Sequence, residues 1–135
     1  METKKKINVS DLSIGDWVYA QFLDGDKWSG RIVSSSDTGR MEVLCFGTKV
    51  VRCTIHFICP IPITAEVLEK NGFTHDKWSK RIWVYEDEKS EVVYYIEGSR
   101  LEITTNDSKM YITSKSVAEL QHALRLAKVD KEIVL

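Results

Sequence analysis

Trp17-Val18-Tyr19-Ala20-Gln21-Phe22-Leu23-Asp24-Gly25-Asp26-Lys27-Trp28-Ser29-Gly30-Arg31-Ile32 decides the fold of the first half of this chain. Trp17 to Phe22 is rich in aromatic and β-branched side chains, which fit a pleated surface. Asp24-Gly25-Asp26 then marks a tight hairpin, because glycine tolerates the positive φ that such turns need. Trp28 to Ser34 reads as the returning strand. Working outward, Ile14-Gly15-Asp16 is a turn that leads in, and Ser34 to Arg40, holding Asp37 and Gly39, is a loop. Met41 to Phe46 is a third strand, Gly47-Thr48 a turn, and Lys49 to Ile55 a fourth strand. Pro60 and Pro62 then exclude a central strand or a helix interior.

Near Thr64 the pattern changes. Thr64 can cap a short helix through Ala65 to Asn71, with Gly72 as its left-handed terminator and Phe73 folding back onto Leu68. Four strands follow, Arg81 to Glu86, Val92 to Ile96, Arg100 to Thr105 and Met110 to Thr113, with separators short enough for an antiparallel meander. Ser116 and Glu119 form an S-x-x-E capping box before a helix from Val117 to Lys128. Its apolar face, Val117, Leu120, Ala123, Leu124 and Ala127, is predicted to cover the meander, with His122 and Leu126 on the other side. The expected class is α+β, with residues 1–63 as one part and 64–135 as an α-β-β-β-β-α half packed against it.

The 135 residues carry a net charge of −1. Counting Lys and Arg against Asp and Glu gives 8 against 7 for residues 1–63 and 11 against 13 for the rest, so bulk charge recruits neither nucleic acid nor an anionic membrane. No apolar run follows Lys4-Lys5-Lys6 as a secretory signal requires, and no stretch approaches a membrane span. The odd set Cys45, Cys53 and Cys59 then predicts reduced thiols and a cytoplasmic protein.

Ile14-Gly15-Asp16, Ala20-Gln21-Phe22, Asp24-Gly25, Trp28-x-Gly30-Arg31-Ile32 and the closing Ile58-Cys59-Pro60-Ile61 resemble a small SH3-like β-barrel of the Tudor type. That resemblance implies an N-terminal SH3-like barrel, and at its aromatic positions Phe22, Trp28 and Phe46 a cage for a methylated cation. Lys49-Val50-Val51 stands where that family has polar residues, and a lysine there repels a cation. The same three aromatics also fit a barrel plug, or an aromatic groove for a partner. Three further blocks are similar to an uncharacterised family of short proteins from Bacteroides-type gut bacteria and their phages and mobile elements. They are Leu12 to Tyr19, Pro60 to Phe73 and Ala118 to Leu126. That resemblance implies no activity.

Residue chemistry points away from catalysis. Cys53-x-x-His56-x-x-Cys59 has zinc-type ligands, but along a strand the two cysteines lie roughly 20 Å apart and His56 faces the other way. No metal or cofactor is expected. There is no G-x-S-x-G elbow and no glycine-rich phosphate loop, and the carboxylates gather in turns. The chain is therefore expected to be a non-enzymatic binding module, acting by protein–protein contact or as a homodimer. The expected binding surface is Trp17, Tyr19, Phe22, Trp28 and Phe46, with Tyr95 and Leu126 for self-association. Both strand parities of Val92-Val93-Tyr94-Tyr95-Ile96 are apolar, and such a sheet wants two covers. The alternative is a nucleic-acid site that interleaves Trp28 with Arg31, Arg40, Lys49 and Arg52.

Overall fold

A computed structural model of the chain describes residues 12–36, 39–54 and 57–135. Lys4-Lys5-Lys6, Asp37, Ile55 and His56 lie outside them. The contacts divide the chain between Ile61 and Pro62 into two compact units, each described by itself below.

The first unit is a five-stranded antiparallel sheet. Its strands are β1 (Trp17–Gln21), β2 (Lys27–Ser35), β3 (Arg40–Cys45), β4 (Lys49–Thr54) and β5 (Ile58–Pro60), in the order β4-β3-β2-β1-β5. The β1–β2 hairpin sets Ala20 opposite Trp28, and the Phe22 amide donates to the Asp26 carbonyl (2.8 Å) across the Asp24-Gly25-Asp26 turn. Burial along β1 alternates, so Val18 and Ala20 face the core while Trp17, Tyr19 and Gln21 face away from it. The core is Val18, Ile32, Met41, Val43, Cys45 and Ile58. Gly30 is required by close approach, since a Cβ there would stand 2.6 Å from the Leu44 carbonyl oxygen of β3.

The sheet is open among the described residues. β5 returns to β1, pairing Ala20 with Ile58 and Val18 with Pro60, but β4 and β5 end at opposite edges. The closed barrel implied by the sequence is thus not found. β5 is three residues long and ends on Pro60, which has no N–H to offer a second neighbour.

The second unit runs α1 (Ala65–Lys70), β6 (Thr74–Asp76), β7 (Ser79–Glu86), β8 (Ser90–Tyr95), β9 (Arg100–Thr105), β10 (Lys109–Thr113) and α2 (Val117–Leu126). Its sheet is a meander of five strands, β10-β9-β8-β7-β6, not the four expected. β6 is the addition: His75, expected in a loop, pairs with Trp83, and the two rings meet edge-on at 5.5 Å. One face carries buried Trp83, Val92, Tyr94, Leu101 and Ile103, and α2 buries Val117, Leu120, Ala123 and Leu124. No helix among the described residues is long and apolar enough to cross a membrane.

Both helices are capped at both ends. The Thr64 and Ser116 hydroxyls accept from the amides of Val67 (3.3 Å) and Glu119 (3.1 Å). The Glu119 carboxylate reaches one residue past the cap, taking the Lys115 amide at 2.7 Å, while Ser116 bridges to Pro62. At the end of α1, Gly72 (φ 85°) and Phe73 donate to the Glu69 and Leu68 carbonyls, a Schellman ending with Phe73 and Leu68 both buried. α2 stops at Leu126 and ends in the same motif. Lys128 (φ 61°) donates to Arg125, Val129 donates to Leu124, and a lysine occupies the left-handed position.

Beyond α2 the chain continues as a strap without regular secondary structure. Two buried carboxamides hold it. Asn71 donates to the Val134 carbonyl and accepts from the Val134 amide, both at 2.7 Å. Gln121 donates to the Lys131 carbonyl (3.0 Å) and accepts from the Ile133 amide (2.6 Å). Each amide imitates the donor–acceptor pair of a neighbouring strand. Val129 and Ile133 are thereby buried.

Candidate functional site

The loops β1–β2 and β3–β4 lie at one end of the first sheet and bring three of the expected aromatics together. The Trp28 ring meets Phe22 edge-on at 4.7 Å and Phe46 edge-on at 5.2 Å. Trp28 follows the core-facing parity of β2 and packs on the core with its inner side. Phe46 is different: its φ is 56° and it is 68% exposed. Phe46 and Gly47 (φ 72°) are the two central residues of a tight turn closed by the Thr48 amide on the Cys45 carbonyl at 3.2 Å. Both central residues at positive φ make it a type I′ turn, where Asn, Asp or Gly is usual. A bulky side chain in that conformation is strained by about 1 kcal/mol or more. Lys49 Nζ stands 5.5 Å from the centre of the Trp28 ring. The chain's own ammonium therefore holds the position that a bound cation would take.

Phe22 also forms one wall of a groove of about 670 Å³. Leu23, 93% exposed, sits at its lip, and Met41, Val51, Cys53 and Phe57 give it an apolar lining. Arg40, Arg52 and Glu42 stand around it. Hydrogen bonds from the Ser34 hydroxyl (2.8 Å) and from Arg52 (3.4 Å) hold the Glu42 carboxyl below its ordinary range. Burial pushes the Cys53 thiol up, so it meets a ligand as a neutral SH group. Phe46, Trp28, Phe22 and the groove form one continuous apolar stripe.

The remaining expected residues fall elsewhere. Trp17 and Tyr19 face away from the core, on the opposite side of β1 from Trp28, and their rings carry Arg31 (4.6 Å) and Lys27 (5.8 Å). The five aromatics of the expected surface thus divide between two faces. So do the residues of the nucleic-acid alternative. Arg31, Arg40 and Arg52 share the outward parity, while Trp28 and Lys49 share the core-side one. Tyr95 and Leu126 are likewise separated. Tyr95 lies on the sheet face opposite buried Tyr94, half-buried, with Arg100 over its ring at 5.1 Å and its hydroxyl 3.4 Å from Glu102. Leu126 is 70% exposed on α2. Among the described residues no three His, Cys, Asp or Glu side chains gather as a metal would need. Cys45 and Cys53 face the core side, while Cys59 faces away and its thiol donates a hydrogen bond to Gln21 Oε1 at 3.1 Å.

Leu23, Met41, Val51 and Phe57 line the groove and are not singled out by sequence reasoning, which weighs Cys53 only as a metal ligand. The signal available is the phase of the strands: Met41, Val51 and Cys53 all share the parity of the core. No family model, no curated protein and no solved structure matches this chain.

Proposed function

We propose that this chain is a non-enzymatic binding module that receives another polypeptide on the stripe from Phe46 through Trp28 and Phe22 into the groove beside β4. On this reading the first unit is an SH3-like barrel left open at one seam. The strand order and the return of β5 to β1 support that relationship.

The observation that carries the reading is Phe46. A tight turn of this type is more stable with Asn in its first central position. Instead a phenylalanine is held there, mostly in water, against a tryptophan. Stability alone does not favour that choice, and large exposed aromatics are the usual anchors of polypeptide interfaces.

Phe46→Asn separates the two effects. The substitution is expected to leave the melting temperature unchanged or raise it, by up to about 1 kcal/mol in stability. It should abolish the capture of clones that the wild-type chain enriches from a random twelve-residue peptide display library. A library that yields no enriched clones, or clones that bind the Asn variant equally well, rules the stripe out as the site.

A further inference from the structure

β4 is the last strand of the first sheet: every residue from Lys49 to Thr54 pairs with β3 on one side. The groove is lined by Val51, Arg52, Cys53 and Thr54 in succession. Consecutive side chains of a strand point to opposite faces, so a space touched by these four, and by residues 34–36 and 40–42 where β2 meets β3, wraps round the sheet and reaches the outer edge of β4 over its second half. Edge strands are ordinarily blunted by charged side chains, proline, a bulge, short length or a cover, and of these β4 carries the charges, Lys49 and Arg52. β4 has no proline, its register is unbroken, and it is six residues long.

Its charges are of one sign. Lys49 and Arg52 lie on the strand, and Arg40 stands across from Thr54. Glu42 is the acid beside them, and Arg52 already neutralises it at 3.4 Å. Arg40 has no ion pair among the described residues. The apolar lining of Met41, Val51, Cys53, Phe57 and Phe22 meets side chains arriving on one face only, which is the period of a strand.

We infer that the polypeptide bound in this groove is an extended segment of alternating apolar and acidic residues, added as a sixth strand to the outer edge of β4, which pairs with no strand but β3 among the described residues. Backbone pairing supplies affinity. The apolar side chains enter the groove, and the acidic ones meet Arg40 and compete with Glu42 for Arg52. This rests on the polypeptide-binding reading above and specifies how the partner is held.

The test uses the whole chain, labelled with ¹⁵N, and a capped octapeptide alternating Glu and Val. Expected are shifts at the amides of β4 and binding about tenfold weaker for the Lys/Val analogue. Two further analogues carry N-methyl groups on every Val or on every Glu. In an added strand alternate N–H groups point to one neighbour, so one analogue should lose about tenfold and the other nothing. Arg40→Glu should shift the preference toward the Lys/Val peptide.

Equal binding of both methylated analogues and the parent overturns strand addition while leaving the groove as a binding site. Strand addition falls in the same way if library-selected peptides bind but the Glu/Val peptide does not. Shifts at β4 that grow with protein concentration alone would mean that a second copy occupies the edge, and would also overturn the proposal.

Discussion

Asn71→Ala would remove the carboxamide that pairs with both the amide and the carbonyl of Val134, bonds that are partly buried although Val134 itself is exposed. Losing both bonds at a partly hydrated position costs about 1–2 kcal/mol. Urea unfolding should show it as a lower midpoint at unchanged slope. A loss below about 0.5 kcal/mol, the size of an ordinary surface substitution, would mean the strap is not held there. A second residue has the opposite sign. Glu91 stands directly across from Glu86, and sharing a proton with that neighbour, then burial and repulsion, raises its pKa above the ordinary value. Its ionised form is therefore disfavoured in the fold. The cost is fully present above the raised pKa and fades as the pH falls through it. Glu91→Gln is expected to stabilise the chain by a few tenths of a kcal/mol at neutral pH, both groups being near solvent. At acid pH the two proteins should unfold alike. Neither residue announces itself in the sequence: Asn71 reads as the last residue of a helix, and Glu91 as one more turn-side carboxylate.

At the level of elements, the two helix ends make a matched pair. Gly72 and Lys128 occupy the same left-handed position in the same motif, but the Cβ of a lysine is crowded there and glycine's hydrogen is not. Lys128→Gly should raise stability by about 1 kcal/mol, while Gly72→Ala should lower it by a similar amount. Thermal unfolding of the two variants checks both signs, and a destabilised Lys128→Gly would show that the lysine side chain matters more than its backbone. The first of these ends is legible because Gly-Phe after a helical stretch is a strong signal. The second is not, because nothing marks a lysine as a terminator, and the apolar period carries the expected helix on to Lys128. β6 is hidden for a related reason. Thr74-His75-Asp76 has no apolar alternation, and it becomes a strand because β7 has an edge to fill. The β3–β4 turn reads one residue late, since Phe46 looks like the end of a strand until its φ is known.

Across the molecule, the meander follows from periodicity, one strand short, and both N-terminal caps follow from residue type, Thr64 and the Ser116–Glu119 box. The division of the candidate surface is also accessible. A period of two along β1 already sets Trp17 and Tyr19 against Phe22. The groove is not, because it depends on which edges the strands leave unpaired. Each unit has its own buried strands, and hydrogen exchange on the whole chain should find two slow cores. One is centred on Val18, Ile32 and Val43, the other on Val92, Leu101 and Ile103. Slow amides confined to one of them would contradict a two-core molecule.

The strap sets an order of events during synthesis. Every strand of the first unit precedes Pro62, so that sheet has all its parts while the rest is still being made. The second unit needs Ile133 to fill its interior and Val134 to satisfy Asn71. A nascent chain paused anywhere before those residues emerge would present an unsealed α2 and two orphaned carboxamides to whatever chaperone is near.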